Sequence, residues 1–247
     1  MKKAITIFLI AAIMITTAGC SGDNTVTESS GGSSKVESST VESQESVTEE
    51  SKPVVNGEVT LEVLDNYPVT SEEFFEYDIR SVTYKEDGGI RITKYTGTDP
   101  IVVVPDTIDG HPVTEVGGYI FANDSFVTTV KLPKFIKRLS KSFINNSEIK
   151  IIDARFVEEI EESAIGFNPE LEQLILGDAL LKTAGGAIGM CSKLKEVYIS
   201  ANFSEIPDVY NGLDEFVGMP DDFTIVGEEG SYIEQWAKDN GINFRVK

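Results

Sequence analysis

Forty-one aspartates and glutamates stand against one histidine, His111, and two cysteines, Cys20 and Cys191. The acids gather at Glu158-Glu159 with Glu161-Glu162, at Asp221-Asp222 and at Glu228-Glu229. Two carboxyl groups held about 5–10 Å apart across a cleft would suit glycoside hydrolysis. In a chain this acidic, adjacent pairs arise easily, and an exposed acidic face accounts for them. No D-x-[DN]-x-[DN]-G loop offers a calcium site. His111 sits in IDGHPV, a turn context between Gly110 and Pro112, without the partners a catalytic triad requires. H-E-x-x-H, C-x-x-C and phosphate-cradling glycine motifs are missing from the sequence. The expectation is a non-enzymatic protein with no cofactor and no metal. A formal net charge of −20 also excludes nucleic acid, whose binding depends on Lys and Arg neutralising phosphates.

The better candidates lie on a surface that repetition has to build. In NPELEQLIL, residues 168–176, Leu171, Leu174 and Leu176 arrive three residues apart and then two. Neither a helical nor a strand period fits alone. Val127, Ile149, Leu171 and Leu194 recur at intervals of 22, 22 and 23 residues. Three places on stand Val130, Ile152, Leu174 and Val197, and two further on Leu132, Ala154, Leu176 and Ile199. Asp124, Asn146, Asn168 and Cys191 precede the four sets. Between them a second motif aligns VGGYIFAND, LSKSFINN, IEESAIGFN and TAGGAIGMC. Self-similarity of this length with L-x-x-L-x-L marks a leucine-rich repeat solenoid. The three-residue step carries the chain round a corner, and the two-residue step is a strand. The expected fold is therefore a mostly β repeat solenoid with short helical or irregular turns. Its strands stack in a parallel ladder on the concave face.

Residues alternating with the core leucines point out of that ladder. The register gives three outward columns: Ile101, Thr129, Ile151, Gln173 and Glu196; Val103, Lys131, Asp153, Ile175 and Tyr198; Pro105, Pro133, Arg155, Gly177 and Ser200. The candidate binding face is Val103, Thr129, Lys131, Ile151, Asp153, Arg155, Gln173, Ile175, Glu196 and Tyr198. Exposed apolar residues beside Lys131 and Arg155 suit a recognition anchor. Equally, β-branched residues simply favour strands.

The ends differ from the middle. Lys2 and Lys3 precede an apolar run from Ala4 to Thr17, about 14 residues and short of the roughly 18 needed to span a bilayer. Residues 1–19 therefore read as a processing signal. From Ser21 to Lys52 the chain holds 14 Ser and Thr and no aromatic, Leu or Ile residue, too little apolar surface to offset ordering entropy. Residues 20–57 read as an anchor and disordered tether, spanning roughly 30–35 Å by flexible-coil scaling. Residues 58–95 form an N-terminal cap: a short helix near Ser71 to Phe75, then a hairpin in which Ile79–Lys85 and Ile90–Tyr95 flank Glu86-Asp87-Gly88-Gly89. Repeats occupy 96–220, and 221–247 form a C-terminal cap of strand, helix and strand. Cys191, lacking an intramolecular partner in the mature chain, reads as a small buried side chain.

Two resemblances extend this reading. Thr17-Ala18-Gly19 before Cys20 resembles the lipobox of bacterial lipoproteins, which implies cleavage before Cys20, a lipid on its sulfur and attachment to the membrane outside the cytoplasm. VVVP at Val102 to Pro105, VKLP at Val130 to Pro133, AIGMC at Ala187 to Cys191 and the ending FTIVGEEGSYIEQWAKDNGINFRVK resemble the BspA-type leucine-rich repeat over about residues 75 to 247. Ala154, Thr183-Ala184 and the irregular Asn202 to Gly218 depart from its pattern. The resemblance implies a surface binding module for an extracellular protein or glycan. A structural envelope component without a discrete ligand is the alternative.

Overall fold

The computed structural model describes residues 59–79, 88–121, 126–207 and 214–247. The processing signal, Cys20, the tether and the Glu86-Asp87 part of the hairpin turn lie outside the described residues.

Seven strands stack in sequence order: Ile101–Val103, Thr129–Lys131, Ile151–Ala154, Gln173–Leu176, Glu196–Tyr198, Thr224–Gly227 and Asn243–Val246, here called rungs one to seven. Rungs one to four pair in parallel with Ile101, Thr129, Ile151 and Gln173 in one column. Rungs five to seven pair likewise, with Glu196, Thr224 and Asn243 aligned. Rungs four and five contact each other across a break in the pairing. Val102, Val130, Ile152, Leu174, Val197 and Ile225 project from successive rungs into one buried core. Leu132, Leu176 and Ile199 join them, as do Val127, Ile149, Leu171 and Leu194 at the corners. The three-then-two spacing of the leucines is thus a corner followed by a strand.

The return path is more regular than the expected helical or irregular turns. Arg138–Leu139, Glu159–Ile160 and Lys182–Thr183 form a second parallel ladder, and Ile144–Asn145, Ile165–Gly166 and Ile188–Gly189 a third. Between these two ladders the chain turns at Tyr119, Ser142, Ser163 and Gly186, all with positive φ. The N–H groups of Tyr119, Ser142 and Ser163 donate at 3.0–3.2 Å to the carbonyls of Ser142, Ser163 and Gly186 in the next turn. This column ties each turn to its neighbour, and a second column of positive φ follows the third ladder at Asn146, Phe167 and Met190.

Buried polar groups close the remaining bonds. Asn168, fully buried, donates from Nδ2 to the carbonyls of Ile144 and Gly166 at 3.0 and 2.9 Å. Its Oδ1 accepts from the N–H and hydroxyl of Ser147 at 3.2 and 3.0 Å. In the next repeat Cys191 fills the same column; its Sγ donates to the Gly189 carbonyl at 3.2 Å, and burial pushes the thiol up to about 11. Cys191 is a packing residue. At the last strand of the third ladder a side chain joins the bonding: Glu215, buried, accepts from the N–H groups of Ala187 and Ile188 at 2.8 and 3.1 Å. In the preceding turn the N–H of Ile165 instead finds the carbonyl of Ala187. Glu215 thus supplies two acceptors at the start of the strand, while the Ile188 carbonyl and the Met190 N–H bond the backbone of Phe216 and Val217. Burial raises its carboxyl to about 8 although the two N–H groups pull the other way.

At the N-terminal end the hairpin forms with Phe75–Ile79, rather than Ile79–Lys85, paired antiparallel to Ile90–Tyr95. Residues 80–85 of the expected strand lie outside the described residues. His111–Val116 adds to Ile90–Tyr95 in parallel, and Thr107–Ile108 folds back on it, which puts His111 at the exit of a tight turn. The helix expected near Ser71 to Phe75 is only a single 3-10 turn, Glu72–Phe74. A helix that the pattern did not suggest, α1 (Leu61–Asn66), lies upstream. Thr60 caps it, its hydroxyl accepting from the Val63 N–H at 3.4 Å. It stops at Tyr67 because the following Pro68 disfavours helical backbone. At the other end α2 (Tyr232–Asp239) links rungs six and seven, capped by Ser231 and seated on Ile233 and Ala237. This is the expected strand–helix–strand ending.

Candidate functional site

The outward residues of the ladder do not share one environment. Val103, Thr129, Ile151 and Asp153 are buried, whereas Glu196 is exposed and Gln173, Ile175 and Tyr198 are half-buried. Strand alternation alone would expose Val103 and Ile151. The difference is α1, which lies across rungs one to three. Leu64, fully buried, packs with Ile101, Val103 and Ile151 in a second apolar cluster, flanked by Val59, Tyr67 and Ile175. Removing a leucine from water contributes about 1.5–3 kcal/mol. A six-residue helix is far too short to persist unaided. Its stability therefore comes from the ladder.

The charges follow the same division. Asp65 Oδ1 lies 2.8 Å from Lys131 Nζ, and the same oxygen lies 3.0 Å from Arg155 Nη2. Lys131 Nζ also donates to the Leu64 carbonyl at 3.1 Å, a cation placed at a helix C-terminus. The two cations, Lys131 first, hold the Asp65 carboxyl below its usual range. Arg155 is itself fixed from beneath: its Nε donates to both carboxylate oxygens of Asp153 at 2.9 and 3.1 Å. Asp153 is 1% exposed, so Arg155 is its compensating charge and not a free anchor. Beside it, a Cβ on Gly177 would meet the Arg155 carbonyl at 2.2 Å, which explains the glycine in that column. Thr70 finishes the ladder edge, donating its N–H to the Val103 carbonyl at 2.9 Å and accepting the Val103 N–H on Oγ1 at 3.0 Å.

Rungs five and seven carry the open half. Glu196 Oε2 pairs with Arg245 Nη2 at 2.8 Å, both side chains more than half exposed. Lys247 Nζ stands 4.0 Å above the Tyr198 ring. The Tyr198 hydroxyl donates to Glu228 Oε1 at 2.6 Å, with Asp178 Oδ1 at 3.1 Å. Burial, then these two carboxylates, push the phenol well above its usual range. Arg245 and Lys247 lie beyond the expected columns because their strand belongs to the C-terminal cap. Continuing the 198 column by parallel register would have reached Arg245.

The acidic clusters become rungs of ion pairs rather than a cleft. Glu158 pairs with Lys137 at 3.1 Å, Glu159 with Arg138 and Lys182 at 3.2 and 3.3 Å, and Glu162 with Lys141 at 3.2 Å. Asp222 pairs with Lys195 at 3.2 Å. Among the described residues no group of three His, Cys, Asp or Glu converges as a metal site would require. No described helix is long and apolar enough to cross a membrane.

No family model and no curated protein matches the chain. Among solved structures, a leucine-rich repeat protein of T. pallidum superposes with a TM-score of 0.50, covering 72% of this chain and 98% of its own at 19% identity. The fold is a leucine-rich repeat solenoid. A leucine rich cell surface protein from Faecalibacterium prausnitzii A2-165 covers 66% of this chain and 46% of its own, with 21% identity and a TM-score of 0.46.

Proposed function

We propose that the chain is a lipid-anchored, extracytoplasmic binding module of the BspA-type leucine-rich repeat, recognising a protein or glycan at the bacterial cell surface. The observation that carries this reading is the open half of the ladder. There, an aromatic ring and exposed ions of both signs stand on rungs five to seven, with the half-buried Gln173 and Ile175 on the neighbouring rung four. Repeat solenoids commonly bind through such faces, and an aromatic beside a basic side chain suits an anchor. The lipobox-like Thr17 to Cys20 and the tether support placement outside the cytoplasm. No catalytic residue is assigned.

The test uses the full chain as a Cys20→Ser form against purified wall polymers, mucin-type glycans and extracellular-matrix proteins. Saturable binding to one of them is expected, weakened about tenfold or more when Glu196→Lys and Tyr198→Ala are combined. Unchanged affinity would remove the open half as the site. Absence of binding to every probe would favour a structural envelope role. Charge reversal at Lys131 and Arg155 is a poor test, because Arg155→Glu would set a carboxylate against the buried Asp153. The same Cys20→Ser form should leave the membrane fraction, and its retention there would contradict lipid anchoring.

A further inference from the structure

We propose that rungs one to three form a second recognition site, for an acidic peptide of another protein that carries a leucine-like side chain next to a carboxylate. In the resting chain α1 occupies this site as an internal copy of that ligand. The proposal rests on reading the ladder face as a binding surface, and it names a partner class for the half that α1 closes.

Three observations converge on it. First, α1 already shows the mode of binding. Leu64 fills an apolar floor of Ile101, Val103 and Ile151, and the neighbouring Asp65 bridges Lys131 and Arg155. In a chain of net charge −20, two cations on one sheet face, set so that a single carboxylate spans both, are a specific receiver for an acid. Second, the receiver is built from the ladder side: Asp153 holds the Arg155 guanidinium through Nε, a different edge from the Nη1 that meets Asp65. Third, the groove is longer than its occupant. A cavity of about 330 Å³ continues beside Lys131, lined by Val69, Val103, Leu132, Pro133 and Phe156 together with the Asp106–Lys134 ion pair. Val69 and Phe156 are 59% and 41% exposed, so a longer peptide would gain apolar contact that α1 does not make.

The occupant is replaceable. Leu64 is the one fully buried side chain of α1, and the Asp65 side chain remains 47% exposed. A short surface element docked through one buried leucine, the Asp65 bridge and the Lys131 bond to the Leu64 carbonyl belongs to the part of a fold that opens locally before the rest. A partner with the same pair of side chains would compete for the floor and the cations together, leaving the core beneath the ladder intact.

The experiment uses a fluorescent synthetic peptide with the sequence of residues 59–70 as probe. It is titrated into the full chain, into Asp65→Lys, into Leu64→Ala, and into Leu64→Ala combined with Lys131→Glu, all in the Cys20→Ser background. Asp65→Lys repels α1 from Lys131 and Arg155 without changing the apolar floor, and Leu64→Ala serves as an independent way to loosen α1. The expected result is peptide binding about tenfold or more tighter in both loosened variants than in the unaltered chain, and lost when Lys131→Glu is added. Equal affinity in all forms, or no binding to either loosened variant, overturns the proposal. Dimerisation of the unaltered chain that disappears in Asp65→Lys would make the occupant a second copy of this chain, and would also overturn it. Binding of wall polymers or glycans through Glu196 and Tyr198 is read with different probes on the open half, so either proposal can fail alone.

Discussion

Asp65 Oδ1 and Lys131 Nζ, 66 positions apart in sequence, meet at 2.8 Å on the outward face of the ladder. The contact sets apart two surfaces along the stacked rungs. Rungs one to three lie beneath α1, while rungs five to seven present Glu196, Tyr198, Arg245 and Lys247. Several consequences can be measured.

Lys131 and Arg155 both touch Asp65, but they should respond differently to truncation. Arg155→Ala leaves Asp153 buried without its charge partner, a loss of about 3–5 kcal/mol. Lys131→Ala removes a partly exposed pair with Asp65 and a bond to the Leu64 carbonyl, and should cost less, about 1–2 kcal/mol. Urea denaturation of the two variants decides. Equal destabilisation would mean that Arg155 does not stabilise the fold through Asp153.

Asn168→Ala should strand the Ser147 N–H and the Ile144 carbonyl in the interior, at about 1–3 kcal/mol for each group. The loss should appear as a lower thermal midpoint. Asn168→Cys should be milder, since Cys191 occupies the equivalent place one repeat on. If Asn168→Ala is neutral, the asparagine is not a structural link between repeats.

Glu215 gives the stability a pH dependence of definite sign. Its folded-state carboxyl is raised from 4.5 to about 8, so between these values the folded chain binds more protons than the unfolded chain. Stability contributed by this group is then greatest below the unfolded value and falls as pH rises toward 8. Urea midpoints at pH 5 and pH 8 should differ more in the unaltered chain than in Glu215→Gln. An identical pH difference in both would contradict the assignment.

The thiol of Cys191, raised by burial and fully enclosed, should resist alkylation in the folded Cys20→Ser form and react once urea unfolds it. Rapid reaction in buffer would show that the column around Asn168 is not closed.

What the sequence revealed depended on periodicity. The recurring Leu171, Leu174 and Leu176 type of triplet carries both the corner and the strand, so the ladder, its register and the strand–helix–strand ending were all legible. The second and third ladders were not, because two-residue strands such as Ile165–Gly166 leave no alternation to detect. Nor was α1. A six-residue helix has no room for a helical period, and only Thr60 and Pro68 marked its ends. Missing α1 made Val103 and Ile151 look like exposed anchors, since strand alternation specifies which way a side chain points and not what covers it. Arg155 differs from its expected role for a related reason: its partner Asp153 stands two places away on the same strand, and an outward direction does not by itself mean solvent.

The division of the ladder face is tested most directly by thiol accessibility. Ile151→Cys and Glu196→Cys would each be introduced into the full-length Cys20→Ser chain and their alkylation rates compared in native buffer. The thiol at position 196 should react as an exposed cysteine, and that at 151 about tenfold or more slowly, with the difference shrinking when Asp65→Lys loosens α1. Equal rates at the two positions in the unaltered background would mean that α1 does not close the first half of the face.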